Sequence, residues 1–287
     1  MFWKRKGARL LKTLSPFDRI LCHVMTRRSD AHVYFTDIID CEPLDEFIAK
    51  AEKEKGVHLT YLDLVNAALV RIYAQKPALN RFVMNGRVFA NNDIKIAMAI
   101  KKSMRDDGGS TTIKVGFTGH ENIYEIRDKF QAEIWKNKGE TEDNSTDKLV
   151  ETLMKLPNGL LRVIVGILKW LDRINALPQS LCDALPFHSS IFVTYLKSIG
   201  IRSIYHHIYD FGTIGMFVAI GKEQWQPVVD KKTKELKAAK VLELKIVADE
   251  RLCDGLYHAQ AMRMFRKILE NPAQLEETFE NVVQDID

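Results

Sequence analysis

Val241–Lys267, VLELKIVADERLCDGLYHAQAMRMFRK, decides how the rest of the chain is read. Leu242, Leu244, Ile246 and Ala248 share one parity, and Glu243, Lys245, Val247 and Asp249 share the other. That period of two marks a strand with one buried face. A tight turn follows, Asp249-Glu250-Arg251-Leu252-Cys253-Asp254-Gly255, and then a helix over Leu256–Leu269 that stops at Asn271-Pro272. Glu250 falls on the apolar parity. A carboxylate there has to be solvated, paired or protonated, because burying it bare is costly.

Working outward, Ile214–Ile220 and Ser190–Lys197 read as further strands, and Gln226-Pro227-Val228-Val229 leads through a hairpin-like connection into the strand above. Near the start, Ser15-Pro16-Phe17-Asp18 caps a helix reaching about Arg27. His32–Ile39 alternates as a strand. Leu44, Phe47, Ile48 and Ala51 mark a helix ending near Gly56. Thr60, with Asp63 three residues on, caps a helix that is apolar nearly all round and is expected to be buried; Pro77 ends it. Asn85-Gly86 suits a type I′ turn and predicts a hairpin over Phe82–Phe89. Ile94–Ile100 and Thr111–Phe117 read as strands joined by a turn at Asp106–Gly109. Ile123, Ile126, Phe130 and Ile134 make a helical stripe, and Asn137–Ser145 is loop-like. Strands and helices are mixed without regular alternation, which predicts a two-layer α/β sandwich: a mixed sheet with packed helices.

The chain has 287 residues, 46% of them hydrophobic and 28% charged, the profile of a globular protein with ample length for a core. A formal charge of +4 dictates no partner. Lys4, Arg5, Lys6, Arg9 and Lys12 crowd residues 1–14, a basic segment expected to be a frayed end, set apart from a single domain over 15–287. That segment lacks a long apolar core and a small-residue cleavage site, so it is not expected to be a secretory signal. Cys22, Cys41, Cys182 and Cys253 lack metal-type spacing, so no metal site is expected and a reduced, cytoplasmic protein is implied. A phosphate-binding glycine loop and a Gly-x-Ser-x-Gly elbow are both absent, and the basic residues do not form a nucleic-acid footprint. Gly159–Leu171, GLLRVIVGILKWL, is strongly apolar but too short to span a membrane. It reads as a packed amphipathic helix, with a lid, a partner-binding helix or a peripheral membrane contact as the sharper alternatives.

From Pro16 to Pro272 the sequence resembles the catalytic domain of the 2-oxo-acid dehydrogenase acyltransferases and the related chloramphenicol acetyltransferases. The family signature is His-x-x-x-Asp-Gly, usually within Asp-His-Arg-x-x-Asp-Gly; here the matching run is Asp249–Gly255. Phe217-Val218-Ala219-Ile220-Gly221 and Pro227-Val228-Val229 follow the family's order of elements. Phe192-Val193-Thr194-Tyr195-Leu196 is similar to its Phe-Thr-Ile-Ser-Asn-Leu-Gly block, and Pro77-Ala78-Leu79-Asn80 to its Pro-x-Leu-Asn segment. Residues 137–187 form a helical insertion that the resemblance does not cover.

The resemblance implies a chloramphenicol-acetyltransferase-like fold and a homotrimer with its site between subunits. Coenzyme A or acyl-CoA would be the substrate, with no permanently bound cofactor. The acceptor would be a thiol, hydroxyl or amine. No lipoyl domain fits before Ser15, so a lipoyl group would arrive on another protein. Thr194 would donate to the oxyanion. Asp254 would be a structural carboxylate, with Arg19 as its partner. Tyr195 and Lys197, which replace the family's asparagine and glycine, would line the channel. Glu250 stands where the family has its catalytic histidine. Imidazole titrates near about 6.5 and suits a neutral-pH base, whereas a free glutamate titrates near about 4.3 unless burial raises it. His206, His207 and His258 are possible alternative bases. The competing expectation is a trimer that has lost catalysis and binds a ligand or partner.

Overall fold

The computed structural model describes residues 5–101, 110–137, 151–230 and 233–287. The turn expected at Asp106–Gly109 lies outside the described residues, as does the expected loop after Asn137. In chain order the elements are β1 (Ala8–Leu10), α1 (Pro16–Val24), β2 (His32–Asp40), α2 (Glu42–Lys55), α3 (Tyr61–Gln75), β3 (Arg81–Met84), β4 (Arg87–Asn91), β5 (Ile94–Lys101) and β6 (Ser110–Phe117). There follow α4 (Ile123–Asn137), α5 (Asn158–Arg173), α6 (Gln179–Ala184), β7 (Ile191–Tyr195), β8 (Met216–Ile220), β9 (Gln224–Val229), β10 (Leu236–Asp249) and α7 (Gly255–Glu270).

A seven-stranded sheet runs β2-β10-β8-β7-β5-β6, with β9 paired to the first half of β10. β5, β7 and β8 are parallel and the remaining pairs antiparallel, so the sheet is mixed as expected. β10 is the central element, because it pairs with β2, β8 and β9. Its even residues, Leu242 to Ala248, join the main core under the helix layer, where Leu64, Leu69 and Ile72 of α3 meet Phe265 of α7 and Phe130 of α4. The opposite face carries Phe192, Phe217 and Val247, covered by Ile208 and Ile214 of the segment that joins β7 to β8. One helix layer on one face of a mixed sheet is the two-layer sandwich read from the sequence.

Local chemistry accounts for the elements. Ser15 accepts from the Asp18 N–H at the start of α1, and Thr60 with Asp63 forms a capping box on α3. Nearly all of α3 is buried, which explains its lack of a polar face. Asn85 and Gly86 both take positive φ, 52° and 64°, the type I′ geometry of a two-residue hairpin. The basic amino-terminal segment departs from expectation. β1 pairs with β4, and Arg9 donates to the carbonyls of Asp285 and Ile286, so from residue 5 it is part of the fold rather than a frayed end.

Candidate active site at the strand–turn–helix junction

β10 ends at Asp249, and Glu250 begins the turn instead of continuing the strand. The parity that would have buried Glu250 therefore stops one residue short of it. The Glu250 N–H donates to Ala31 O at 2.9 Å, and its side chain is exposed. The buried carboxylate is Asp249, 1% exposed. Arg251 grips it with two parallel bonds, Nε to Oδ1 at 2.8 Å and Nη2 to Oδ2 at 2.7 Å, and the Arg251 N–H adds a third to Oδ1 at 3.1 Å. Arg28 lies 3.7 Å from the same carboxylate, and its guanidinium donates to Tyr209 O at 2.8 Å and Gly212 O at 2.6 Å. Both guanidiniums are buried, so this triad is a rigid base for the turn and holds residue 250 outward.

Asp254 caps α7, accepting from the Tyr257 N–H at 2.7 Å, and is otherwise exposed. The expected Arg19–Asp254 pair does not form. Arg19 lies on the exposed side of α1, and the signature's arginine contacts belong to Asp249. His258 is not an available base. It is 3% exposed beneath the first turn of α7, with Nε2 3.3 Å from Cys253 Sγ. Burial holds the imidazole below its ordinary range against the pull of Asp249, and pushes the thiol up to about 12. The pair is a neutral thiol beside a neutral imidazole, a packing arrangement rather than an activated nucleophile.

Thr194 lies elsewhere. It pairs with Ala219 on β8, which pairs with Lys245 on β10. Asp249 is four residues beyond that level. This is about 13 Å along the strand and about 10 Å across two strand spacings, so Thr194 and the turn are roughly 16 Å apart in one chain. Thr194 shares the Phe192 and Phe217 face of the sheet, away from the helix layer. His206 is on that face too, stacked on Phe217 at 4.2 Å between ring centroids, while the exposed His207 meets Tyr209 edge-on. Tyr195 packs against the main core instead, and Lys197 pairs with Glu223 at 2.8 Å and stands 4.7 Å over the Tyr61 ring. Neither side chain stands at the junction with Glu250.

A second buried cluster had no local signal in the sequence. Asp172, at the end of α5, accepts from His188 Nε2 at 2.8 Å and from the Gly212 N–H at 2.8 Å. Burial works to raise that carboxyl, but the His188 and Gly212 contacts more than offset it and hold it below the usual range. A Cβ at Gly212 would fall 2.1 Å from Phe187 O, so only glycine fits there. Because Gly212 O also receives Arg28, the cluster links the 137–187 insertion to the Asp249 triad.

Buried His258 and half-buried His32 set a pH dependence. Burial lowers both His258 and His32 from the ordinary 6.5, with Asp249 opposing in each case. Below about pH 6.5 the unfolded chain binds protons that the folded chain refuses, so stability is full above that value and falls as pH drops through it. Thermal midpoints should decline between about pH 7.5 and about pH 5.5, and His258→Gln should flatten the slope; a midpoint independent of pH would contradict this.

The arrangement of the mixed sheet, its helix layer and the turn after β10 is a chloramphenicol-acetyltransferase-like fold. The family model for the 2-oxoacid dehydrogenases acyltransferase catalytic domain matches residues 214–276, from the start of the β8 segment through α7. In structure the chain is similar to the cubic core of the pyruvate dehydrogenase multienzyme complex, with 17% identity, 92% of this chain and 93% of that chain covered, and a TM-score of 0.56. It is similar to the dihydrolipoamide acetyltransferase of Azotobacter vinelandii, studied for the role of a serine, a histidine and an asparagine in its mechanism, with 16% identity, coverage of 92% and 93%, and a TM-score of 0.56. It is similar to a chloramphenicol acetyltransferase at 11% identity, covering 91% and 99%, with a TM-score of 0.56. At such identities the likeness is one of fold. No curated protein sequence matches the chain.

Proposed function

We propose that the protein is an acyltransferase that moves an acyl group between coenzyme A and a thiol, hydroxyl or amine acceptor, acting as a homotrimer with its site between subunits. The observation that carries this reading is the signature turn. Its frame is held by the buried Asp249–Arg251–Arg28 triad and by the Asp254 cap, and it presents residue 250 outward, where a neighbouring subunit can meet it. Thr194 is about 16 Å away within one chain, so the two can serve one reacting centre only when they come from different copies. In that arrangement Glu250 takes or positions the proton of the acceptor, and Thr194 of the neighbouring copy donates to the tetrahedral oxyanion. A lipoyl group, if that is the acceptor, arrives on a separate protein.

The exposure of Glu250 favours a second reading, a trimer that binds a ligand without turning it over, because a carboxylate in water is a weak base for a thiol. Calorimetry with coenzyme A, alongside a free-thiol assay with acetyl-CoA and dihydrolipoamide, separates the two. Binding with thiol release supports the acyltransferase. Binding without release for any acyl acceptor supports the ligand-binding trimer. Failure of coenzyme A to bind at all would overturn the acyltransferase and favour a structural or partner-binding trimer.

A further inference from the structure

We propose that α5 docks the protein on the surface of an anionic phospholipid bilayer. The helix has 16 residues, about 24 Å in length, short of the ~20 residues needed to cross a hydrocarbon core, so it would lie in the interfacial plane. Leu161, Ile164, Leu168 and Leu171 turn toward the protein and are half-buried. The adjoining strip, Leu160, Val163, Ile167 and Trp170, follows i, i+3, i+7 and i+10 and is open to solvent, with Val163 at 57%, Ile167 at 50% and Trp170 at 59% exposure. Four large apolar side chains in one exposed row are more than scattered surface hydrophobes.

Charge identifies the occupant. Arg162, Lys169 and Arg173 flank the strip and are all exposed. The one carboxylate of α5, Asp172, is turned inward and occupied by His188 and Gly212. The solvent-facing side of the helix is therefore apolar and cationic with no acidic residue. Beside it, a cavity of about 550 Å³ is lined by Lys169 and Arg173 on one wall and by His23 and Arg27 at the end of α1 on the other. Its other carboxylate, Asp210, is exposed, with Oδ1 accepting from the Arg28 N–H, and the four basic side chains outnumber it. α1 repeats the pattern, with Phe17, Ile20 and Val24 exposed at i, i+3 and i+7. A second copy of α5 laid against the first would set like charges together, whereas lipid phosphates neutralise them and acyl chains cover the apolar row.

Flotation of the full chain with phosphatidylcholine vesicles, with and without phosphatidylglycerol, tests this. The protein should float with the anionic vesicles at low salt and stay behind with the neutral ones. The double variant Ile167→Glu/Trp170→Glu should lose about tenfold in recovery, and Lys169→Glu/Arg173→Glu should lose comparably. These sites are exposed, so melting of the variants should match the parent. Trp170 emission should shift to the blue on binding, a change absent in Trp170→Phe. The proposal is overturned if anionic vesicles fail to capture the parent at low salt, or if both double variants float as well as it does. It is also overturned if the variants change only the oligomer size on gel filtration, which would make the strip an interface between copies.

Discussion

Asp249→Asn should destabilise the fold by about 3–5 kcal/mol, the cost of leaving a buried charge without its partner. The substitution keeps the shape of the side chain but removes the negative charge that two guanidiniums share. Arg28 and Arg251 are 3% and 6% exposed, so neither can turn to water without rearranging the chain around it. The disturbance would spread, because Arg28 also holds Tyr209 and Gly212, and Arg251 also reaches Met25 O at 3.1 Å. Urea unfolding measures the effect. Asp254→Asn is the matched control. It sits on the same turn, it is exposed, and asparagine caps a helix about as well as aspartate, so its effect should be within a few tenths of a kcal/mol. Equal losses at the two positions would show that the triad does not support the junction.

Glu250 carries the second large effect. If residue 250 handles the proton of the acceptor, Glu250→Ala should lower thiol release from acetyl-CoA by about 10²-fold or more, the usual worth of a positioned general base. Glu250→His should match or exceed the parent near pH 7, because imidazole titrates close to that pH. The exposed site tolerates either side chain, so stability should not change. An unaltered rate in Glu250→Ala would remove the residue from the mechanism. His206→Ala would then be the next variant to assay, because its imidazole lies on the same sheet face as Thr194.

Much of the fold was legible because its signals are local. The Asn85-Gly86 turn, the Thr60–Asp63 box and the alternation of β10 each depend on residues a few positions apart. The signature turn was legible as a frame for the same reason. Its energetics were not. Parity pointed to Glu250 as the awkward carboxylate, yet the strand ends one residue earlier and Asp249 is the buried one. The spacing of Asp249 and Arg251 hints at their pairing, since a tight turn brings opposite charges two positions apart within reach. Arg28 is more than 220 positions away, and nothing in its neighbours marks it. Asp172 and His188 meet because the chain turns back through α6 between the end of α5 and the start of β7, and Gly212 joins them from the segment before β8. Arg19 looked like a partner from its place near the start of the domain, but α1 turns it to solvent. The basic amino terminus looked frayed because pairing of β1 with β4 depends on a contact some 80 residues away.

A site shared between copies makes a demand that no single chain can imitate. Glu250→Ala and Thr194→Ala should each be nearly inactive, the second by about 10²–10³-fold for loss of an oxyanion donor. Co-expressed in equal amounts with different tags and purified as mixed trimers, they should regain activity. With random mixing, about one quarter of the interfaces join an intact Glu250 to an intact Thr194. Thiol release from acetyl-CoA near one quarter of the parent rate is the expected result. Mixed trimers as inactive as either variant alone would contradict a site built from residue 250 of one subunit and residue 194 of the next.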